Sequence, residues 1–229
     1  MPGMLIRRNL VGALALAAAV AAGCSSEDTP SEPLPEAAQL IQDSAAATGD
    51  ITSTHFTLQV NGTVAGLSVQ SLDGDLTKEG EAKGTGSLTQ AGQLVEVEFV
   101  LAGDTLYLKG PTGGYQEIPA ALSASLYDPS AVLDPERGVA KLLTSMREPK
   151  TVAKEEVEGT ETYKVSGTVA KDVLEGLLPG VQSGADVSFW LRADGQHLPV
   201  KASAAFADDA TVDVTLSDVD KPVTVTPPA

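Results

Sequence analysis

Apolar and polar side chains alternate at every second position along much of this 229-residue chain, and no other feature restricts its fold as strongly. In the clearest segment the apolar positions are Val95, Val97 and Phe99, with glutamates between them. Successive side chains of a strand point to opposite faces of a sheet, so this segment predicts a strand with one dry and one wet face. Short turns such as Gly103-Asp104 favour antiparallel neighbours, because parallel strands need long crossover connections.

The same alternation predicts further strands and one hairpin. The strands are marked by Phe56, Leu58 and Val60; by Leu67 and Val69; by Leu106 and Leu108; by Val187, Phe189 and Leu191; by residues 198–206; and by Val212, Val214 and Leu216. The hairpin spans about 152–168 and turns at Glu158-Gly159.

Three other segments repeat their apolar residues at spacings of three and four, which predicts helices. Their stripes are Ala37, Leu40, Ile41 and Ala45; Val139, Leu142, Leu143 and Met146; and Val173, Leu174, Leu177 and Leu178. Asp128-Pro129 and Asp134-Pro135 are suited to starting helices, while Gly49, Glu148-Pro149 and Pro179-Gly180 are suited to ending them. Nine to eleven antiparallel strands with three or four helices predict a single α+β domain, in which helices cover the dry face of a large sheet.

The amino-terminal segment predicts export and a lipid anchor. Residues 1–23 have the layout of a cleaved secretion signal, with Arg7 and Arg8 before an apolar run that is shorter than the ~20 residues needed to cross a bilayer. Small residues then precede Cys24, the only cysteine, and the segment resembles a lipobox. We therefore expect Cys24 to be the lipid-bearing first residue of the mature protein, rather than a buried structural cysteine, and to hold it on the extracytoplasmic side of the plasma membrane.

The rest of the chain divides into three parts. Residues 24–35 are polar, acidic and proline-bearing, which is typical of an extended tether with a reach of about 30 Å at ~3.1 Å per residue. The folded domain is predicted over 36–221, and 222–229 is predicted to be a loose tail. Loss of the signal removes two arginines and no acidic residue, so the formal charge changes from −16 to −18. Such a charge excludes nucleic acid as a partner and predicts that the domain stands off from anionic headgroups.

Catalytic and metal-binding patterns are missing from the sequence, which argues against an enzyme and against a cofactor. His55 and His197 are the only histidines, and both are predicted on the surface. No Gly-x-Ser-x-Gly motif is present. Glu155, Glu156 and Glu158 are clustered, but alternate residues of a strand face opposite ways, so a solvated acidic edge is the better interpretation than a metal site.

The apolar stripes leave two interpretations of the interior open. They can form a filled core, or the sheet and helices can enclose a cavity, and periodicity does not separate the two. Aromatic residues are only 4% of the chain, and small residues such as Ala202 and Ala204 occupy inward positions, which is a weak sign of a cavity.

Several segments resemble one protein family. They are the stretch from Asp128 to Pro135, Gly138 to Leu143, Val165 to Val169, Val187 to Leu191 and, more weakly, Val225 to Pro228. The order of signal, tether, helix, strands, helices and strands agrees as well. On these residues the chain is similar to the LppX/LprA/LprF/LprG lipoproteins of mycobacteria and related actinobacteria.

This resemblance implies a strongly curved antiparallel sheet, a half-barrel, with helices across its concave face and a large apolar cavity between them. It also implies binding of acylated lipids or glycolipids, their movement from the plasma membrane into the cell envelope, and for some members a transporter partner of the major facilitator type. The predicted wall positions are Phe56, Leu58, Val95, Val97, Phe99, Leu106, Leu142, Leu143, Met146, Leu174 and Leu177. The alternatives are an adaptor lipoprotein that docks on a transporter without a lipid of its own, and a hydrolase of envelope lipids.

Overall fold

The computed structural model describes residues 33–123 and 129–228, so the predicted signal, Cys24 and Asp128 lie outside the described residues. The described chain contains eleven strands, in agreement with the predicted number. In chain order they are β1 (Ser53–Asn61), β2 (Val69–Thr77), β3 (Ala82–Gln90), β4 (Gln93–Ala102), β5 (Thr105–Lys109), β6 (Gln116–Pro119), β7 (Arg147–Val157), β8 (Thr160–Val169), β9 (Ala185–Arg192), β10 (Pro199–Ala205) and β11 (Thr211–Ser217).

All eleven strands form one antiparallel sheet made of two meanders, in the order β6-β5-β4-β3-β2-β1-β11-β10-β9-β8-β7. The meanders join where β1 pairs with β11, with Phe56 opposite Leu216 and Leu58 opposite Val214. At one end of this seam, the Asp220 carboxylate accepts hydrogen bonds of 2.8 Å from both the backbone N–H and the hydroxyl of Thr52. The outermost strands, β6 and β7, do not pair with each other, so the sheet is open, and its predicted curved antiparallel form is confirmed.

The two faces of the sheet have opposite chemistry because alternation is kept in register across the strands. One row on the apolar face runs through Leu58, Val214, Ala202, Phe189 and Val165. The adjacent row, displaced by one residue, faces the other side and runs through Thr57, Thr215, Lys201, Trp190 and Lys164.

Glycines on the apolar face let β2 and β3 approach each other closely. Gly74 and Gly84 are directly opposite, and their neighbours in the same row are Phe56 on one side and Phe99 on the other. A Cβ at Gly84 would lie 2.7 Å from the Cα of Gly74 and would collide with the carbonyl oxygen of Asp73. Only residues without a side chain fit this part of the sheet.

The helices are few and short, and they pack on the apolar face. They are α1 (Ala37–Asp50), α2 (Ala120–Ser123), α3 (Val139–Thr144) and α4 (Lys171–Leu174), with 3-10 turns at Pro129–Leu133 and Ala207–Asp209. Leu40 and Ile41 of α1 and Leu142 and Leu143 of α3 belong to the same buried core as the apolar face of the sheet. None of the described helices has the length and hydropathy needed to cross a membrane.

The second predicted helix is shorter than its apolar stripe suggested. Asp134-Pro135 begins a turn, in which the Asp134 carboxylate accepts from the Glu136 N–H at 2.8 Å, and α3 starts only after Gly138. Burial opposes ionisation of Asp134, but this bond and the Arg137 guanidinium hold its pKa below the usual value. The prediction that the helix reaches Glu148-Pro149 was wrong: α3 ends at Thr144 and β7 already starts at Arg147. Pro149 is tolerated there because β7 is an edge strand with a register shift between Arg147 and Lys150.

Candidate ligand-binding interior

The space between the apolar face and the helices holds ten of the eleven predicted wall residues as buried side chains. Phe56, Leu58 and Leu143 are at most 1% exposed, while Val95 near the free end of β4 is half-buried. The structure thus brings the predicted positions to one apolar region, although it divides them between two separate cavities and a packed remainder.

The larger apolar cavity, of about 50 Å³, lies under the first meander. Three predicted wall residues line it, namely Val97, Phe99 and Leu106. Its other walls are Val69, Leu72, Leu88, Leu108 and Pro129. Leu72 and Leu88 were missed by the sequence analysis because the glycines and hydroxyl residues around them obscure the alternation in β2 and β3.

The smaller cavity, of about 30 Å³, lies under the second meander between the sheet and the helices α3 and α4. Three more of the predicted wall residues, Leu142, Leu174 and Leu177, line it. They face Val187, Ala202, Ala204, Val212 and Val214 on β9 to β11, together with Val139, Leu178 and Ser203. These strand residues follow the same alternation as the predicted wall and could have been added to it on that ground.

Five predicted wall residues line neither of these cavities: Phe56, Leu58, Val95, Leu143 and Met146. Met146 lies between α3 and β7, and its methyl carbon would be 3.1 Å from a Cβ at Gly167, so this glycine makes room for it. Both apolar cavities are far below the ~300 Å³ at which small-molecule sites begin, so the interior is closed in this structure.

In the described chain the buried residues of the polar and charged types are all serines and threonines, and none of the buried residues carries a charge. The Thr48 hydroxyl donates to the Ser44 carbonyl at 2.7 Å. The hydroxyls of Ser44 and Thr77 are buried without a hydrogen-bond partner. The interior is therefore suited to an apolar ligand and offers no anchor for an ionised one.

The titratable residues considered in the sequence analysis lie outside this interior. His55 is on the polar face, with Nδ1 2.9 Å from an Asp75 oxygen, and His197 Nδ1 is 2.8 Å from the Arg192 carbonyl. The Glu155 carboxylate accepts from the indole nitrogen of Trp190. No group of three or more potential metal ligands is present in the ranges that the structure describes.

The fold and interior define a class of protein: an open, curved antiparallel sheet whose apolar face is closed by short helices over an uncharged interior. The sequence matches the LppX_LprAFG lipoprotein family over residues 36–225, and the chain belongs to this family. The resemblance found in the sequence is thereby confirmed.

Curated relatives carry one name. The chain is 37% identical over 235 residues to the lipoarabinomannan carrier protein LprG of Mycolicibacterium hassiacum, covering 96% of this chain and 97% of the relative. It is 32% identical over 226 residues to the protein of the same name from Mycobacterium tuberculosis, covering 97% and 95%. These relatives are named as carriers and not as enzymes.

Two solved structures share the fold. LprF from Mycobacterium bovis superposes with a TM-score of 0.73 at 28% identity, covering 86% of this chain and 99% of that one. The Mycobacterium tuberculosis lipoprotein LppX superposes with a TM-score of 0.64 at 26% identity, covering 83% and 98%.

Proposed function

We propose that this protein is a membrane-anchored carrier that encloses the acyl chains of a lipid or glycolipid between its sheet and helices. It would take this cargo from the plasma membrane and help move it into the cell envelope. The proposed walls are the eleven residues predicted from the sequence, extended by Leu72 and Leu88 on the sheet. The carrier name of the LprG relatives supports a glycolipid as the cargo.

The observation that carries this proposal is the uncharged apolar interior, which contains two separate cavities lined almost wholly by apolar side chains. Transfer of an acyl chain from a bilayer to water costs a free energy of roughly 25 cal/mol per Å² of exposed apolar surface. An apolar enclosure avoids this cost without any covalent step. Such binding needs no catalytic group, in agreement with the absence of buried charge among the described residues.

Loading requires the interior to widen, and the helical cover has the construction for it. Helices α3 and α4 have six and four residues, too short to be stable by their own hydrogen bonds. They are held by apolar contact with the sheet. An acyl chain inserted at this interface would replace apolar contacts with others of the same kind, so separation of the helices from the sheet costs little once the lipid is present.

The anchor would lie at Cys24, outside the described residues, and would connect to the domain beside β7. There the Thr151 hydroxyl donates to the Pro35 carbonyl at 2.8 Å, which fixes the point where the tether meets the fold. Two or more acyl chains on the mature amino terminus make attachment effectively permanent. A domain held on a tether of this length stays within reach of the bilayer that supplies its cargo.

Lipid content is the direct test. Residues 25–229 are produced in an actinobacterial host, purified, extracted with organic solvent, and the extract is analysed by mass spectrometry. We expect an acylated lipid or glycolipid in near-stoichiometric amount. A protein that neither co-purifies with an acylated lipid nor acquires one from vesicles of host lipid extract would contradict the proposal.

A wall substitution separates a carrier from an adaptor. Val97→Trp places an indole in the larger cavity, and we expect it to lower bound lipid at least tenfold, with Val97→Phe as a milder variant if the first does not fold. Val152→Trp is the matched control, because Val152 is 50% exposed on edge strand β7. Equal lipid content in wild type, Val97→Trp and Val152→Trp, with circular dichroism showing three folded proteins, would show that the larger cavity does not hold the lipid. A folded Val97→Trp protein that keeps its cellular function while holding no lipid would favour an adaptor without a cargo.

A further inference from the structure

A second concave surface lies on the opposite side of the first meander. This polar groove, of about 720 Å³, crosses β1 to β5, and its volume falls within the ~300–1,000 Å³ typical of ligand sites. Leu72 and Val97 line both the groove and the larger apolar cavity, so the two spaces occupy opposite faces of the same strands. Unlike the interior, the groove is lined by charged, amide and hydroxyl side chains as well as apolar ones.

Two parallel rows of polar side chains form the groove floor, as the strand registers show. One row runs through Thr57, Asp73, Thr85, Glu98 and Lys109, each directly opposite the next on its neighbouring strand. With neighbouring strands ~4.8 Å apart, a row over five strands is about 19 Å long. The floor is therefore long enough for an extended ligand rather than a single small group.

The second row lies two residues further along the strands and consists of Gln59, Ser71, Ser87 and Glu96. The hydroxyls of Ser71 and Ser87 are 2.7 Å apart, so one donates to the other and each keeps a free acceptor site. Hydroxyl, amide and carboxylate groups thus recur at regular spacing. A ligand that matches this array carries many groups able both to donate and to accept hydrogen bonds.

Charge excludes anionic ligands from the groove. Three carboxylates, those of Asp73, Glu96 and Glu98, face a single ammonium group, that of Lys109. Lys109 Nζ is already 2.9 Å from Glu98, and the Tyr115 hydroxyl donates to the same carboxylate at 3.0 Å. These two hydrogen bonds lower the pKa of Glu98, which therefore remains an ionised acceptor at neutral pH. Phosphorylated headgroups and acidic polymers would be repelled.

The backbone of the groove excludes strand addition by a peptide. Each of β1 to β5 is paired on both sides, so its N–H and C=O groups are already used within the sheet. At one end Leu94, which is 65% exposed, adds an apolar contact to the polar floor. A carbohydrate combines these properties, since its ring presents hydroxyls at the edge and C–H groups on the faces.

We infer that the polar groove binds a neutral oligosaccharide chain, with the carboxylates and hydroxyls of the two rows accepting and donating hydrogen bonds to sugar hydroxyls. This inference rests on the proposed function, which also determines the choice of sugar. The glycan of the carried glycolipid would lie on the polar face of the sheet, and the acyl chains of the same glycolipid would occupy the apolar face.

The test titrates residues 25–229 with mannohexaose, a neutral sugar without acyl chains, and follows backbone amide shifts by NMR. We expect saturable shifts confined to β1 to β5. Hexagalacturonate, an acidic oligosaccharide of the same length, should bind at least tenfold more weakly. Absence of saturable shifts with mannohexaose, shifts outside these strands, or equal binding of the acidic sugar would overturn the inference.

A substitution that introduces a positive charge at the centre of the groove supplies the matched comparison. Thr85→Arg places a guanidinium between Asp73 and Glu98, which occupies the groove and engages both acceptors, and we expect at least a tenfold loss of mannohexaose affinity. Thr168→Arg, at an exposed threonine of β8 outside the groove, adds the same charge and should change nothing. If Thr85→Arg does not fold, Asp73→Ala removes an acceptor that is 66% exposed.

Lipid extraction of the same samples separates the two proposals. Mannohexaose binding by a protein without lipid would count against the carrier function and leave the groove assignment in place. Lipid without mannohexaose binding, or Thr85→Arg and Thr168→Arg binding equally well, would overturn the groove assignment alone.

Discussion

Gly84→Ala tests the close approach of β2 and β3 on the apolar face. The added Cβ would lie 2.7 Å from the Cα of Gly74 and closer still to the carbonyl oxygen of Asp73, and ordinary contacts begin near 3.4 Å, so the strands must separate by at least about 0.7 Å. The colliding atoms are backbone atoms of paired strands, which puts the strain at the upper end of the ~1–3 kcal/mol typical of overpacking. Alanine also lowers the conformational entropy of the unfolded chain, which stabilises the folded state by roughly 0.4–1 kcal/mol. The net expected loss in the free energy of unfolding is about 2 kcal/mol.

Urea unfolding measures this loss, with fluorescence of the sole tryptophan, Trp190, as the probe. For a domain of this size, 2 kcal/mol corresponds to a melting temperature lower by about 4–8 °C. Gly195→Ala is the control: nothing lies within 4 Å of its added Cβ and its φ is not positive, so only the stabilising effect on the unfolded chain remains. A Gly84→Ala protein as stable as Gly195→Ala would refute the argument that the close approach requires glycine.

Two further predictions concern the seam and the interior. Hydrogen bonds from Thr52 lower the pKa of Asp220, so this carboxylate stabilises the fold fully above its unfolded pKa of about 3.9 and progressively less as pH falls below it. Asp220→Asn should therefore reduce the acid sensitivity of thermal unfolding below pH 4, and an unchanged pH profile would contradict this role. Ser44→Ala removes a buried hydroxyl without a partner, and we expect unchanged or higher stability, by up to about 1 kcal/mol, in the same urea assay. A clear loss of stability would show that the hydroxyl is satisfied in solution.

The strands that sequence reasoning located best are those in which every inward position is a large apolar residue, such as β4 and β11. Strand β3 was not assigned, although it lies within the first meander. Its inward positions include Gly84 and Gly86, where the partner strands leave no room for a side chain, so the hydrophobic alternation disappears. The residues that allow β2 and β3 to approach each other closely are therefore the residues that conceal the strand.

The helices show the opposite error. The stripe Val139, Leu142, Leu143 and Met146 predicts one continuous helix, but Met146 is buried in the core from the connection that leads into β7. Hydrophobic periodicity shows which side chains are buried. It does not show whether the backbone that carries them is helical. Because periodicity identifies buried positions, the sequence could predict which apolar residues form the interior. The division of that interior into two cavities could not be predicted, since it depends on the packing of residues that are distant in sequence.

Fully buried side chains occur in both meanders, but the larger apolar cavity and the polar groove both lie in the first. Phe56 of the first meander and Val165 and Phe189 of the second are all fully buried. In the first meander, Leu88 and Leu108 are only partly buried around the larger cavity. The polar groove lies on the other face of the same strands. A displacement of β2 to β5 would therefore alter the apolar cavity and the polar groove together, so under the proposed function one set of strands would respond to both ends of the cargo.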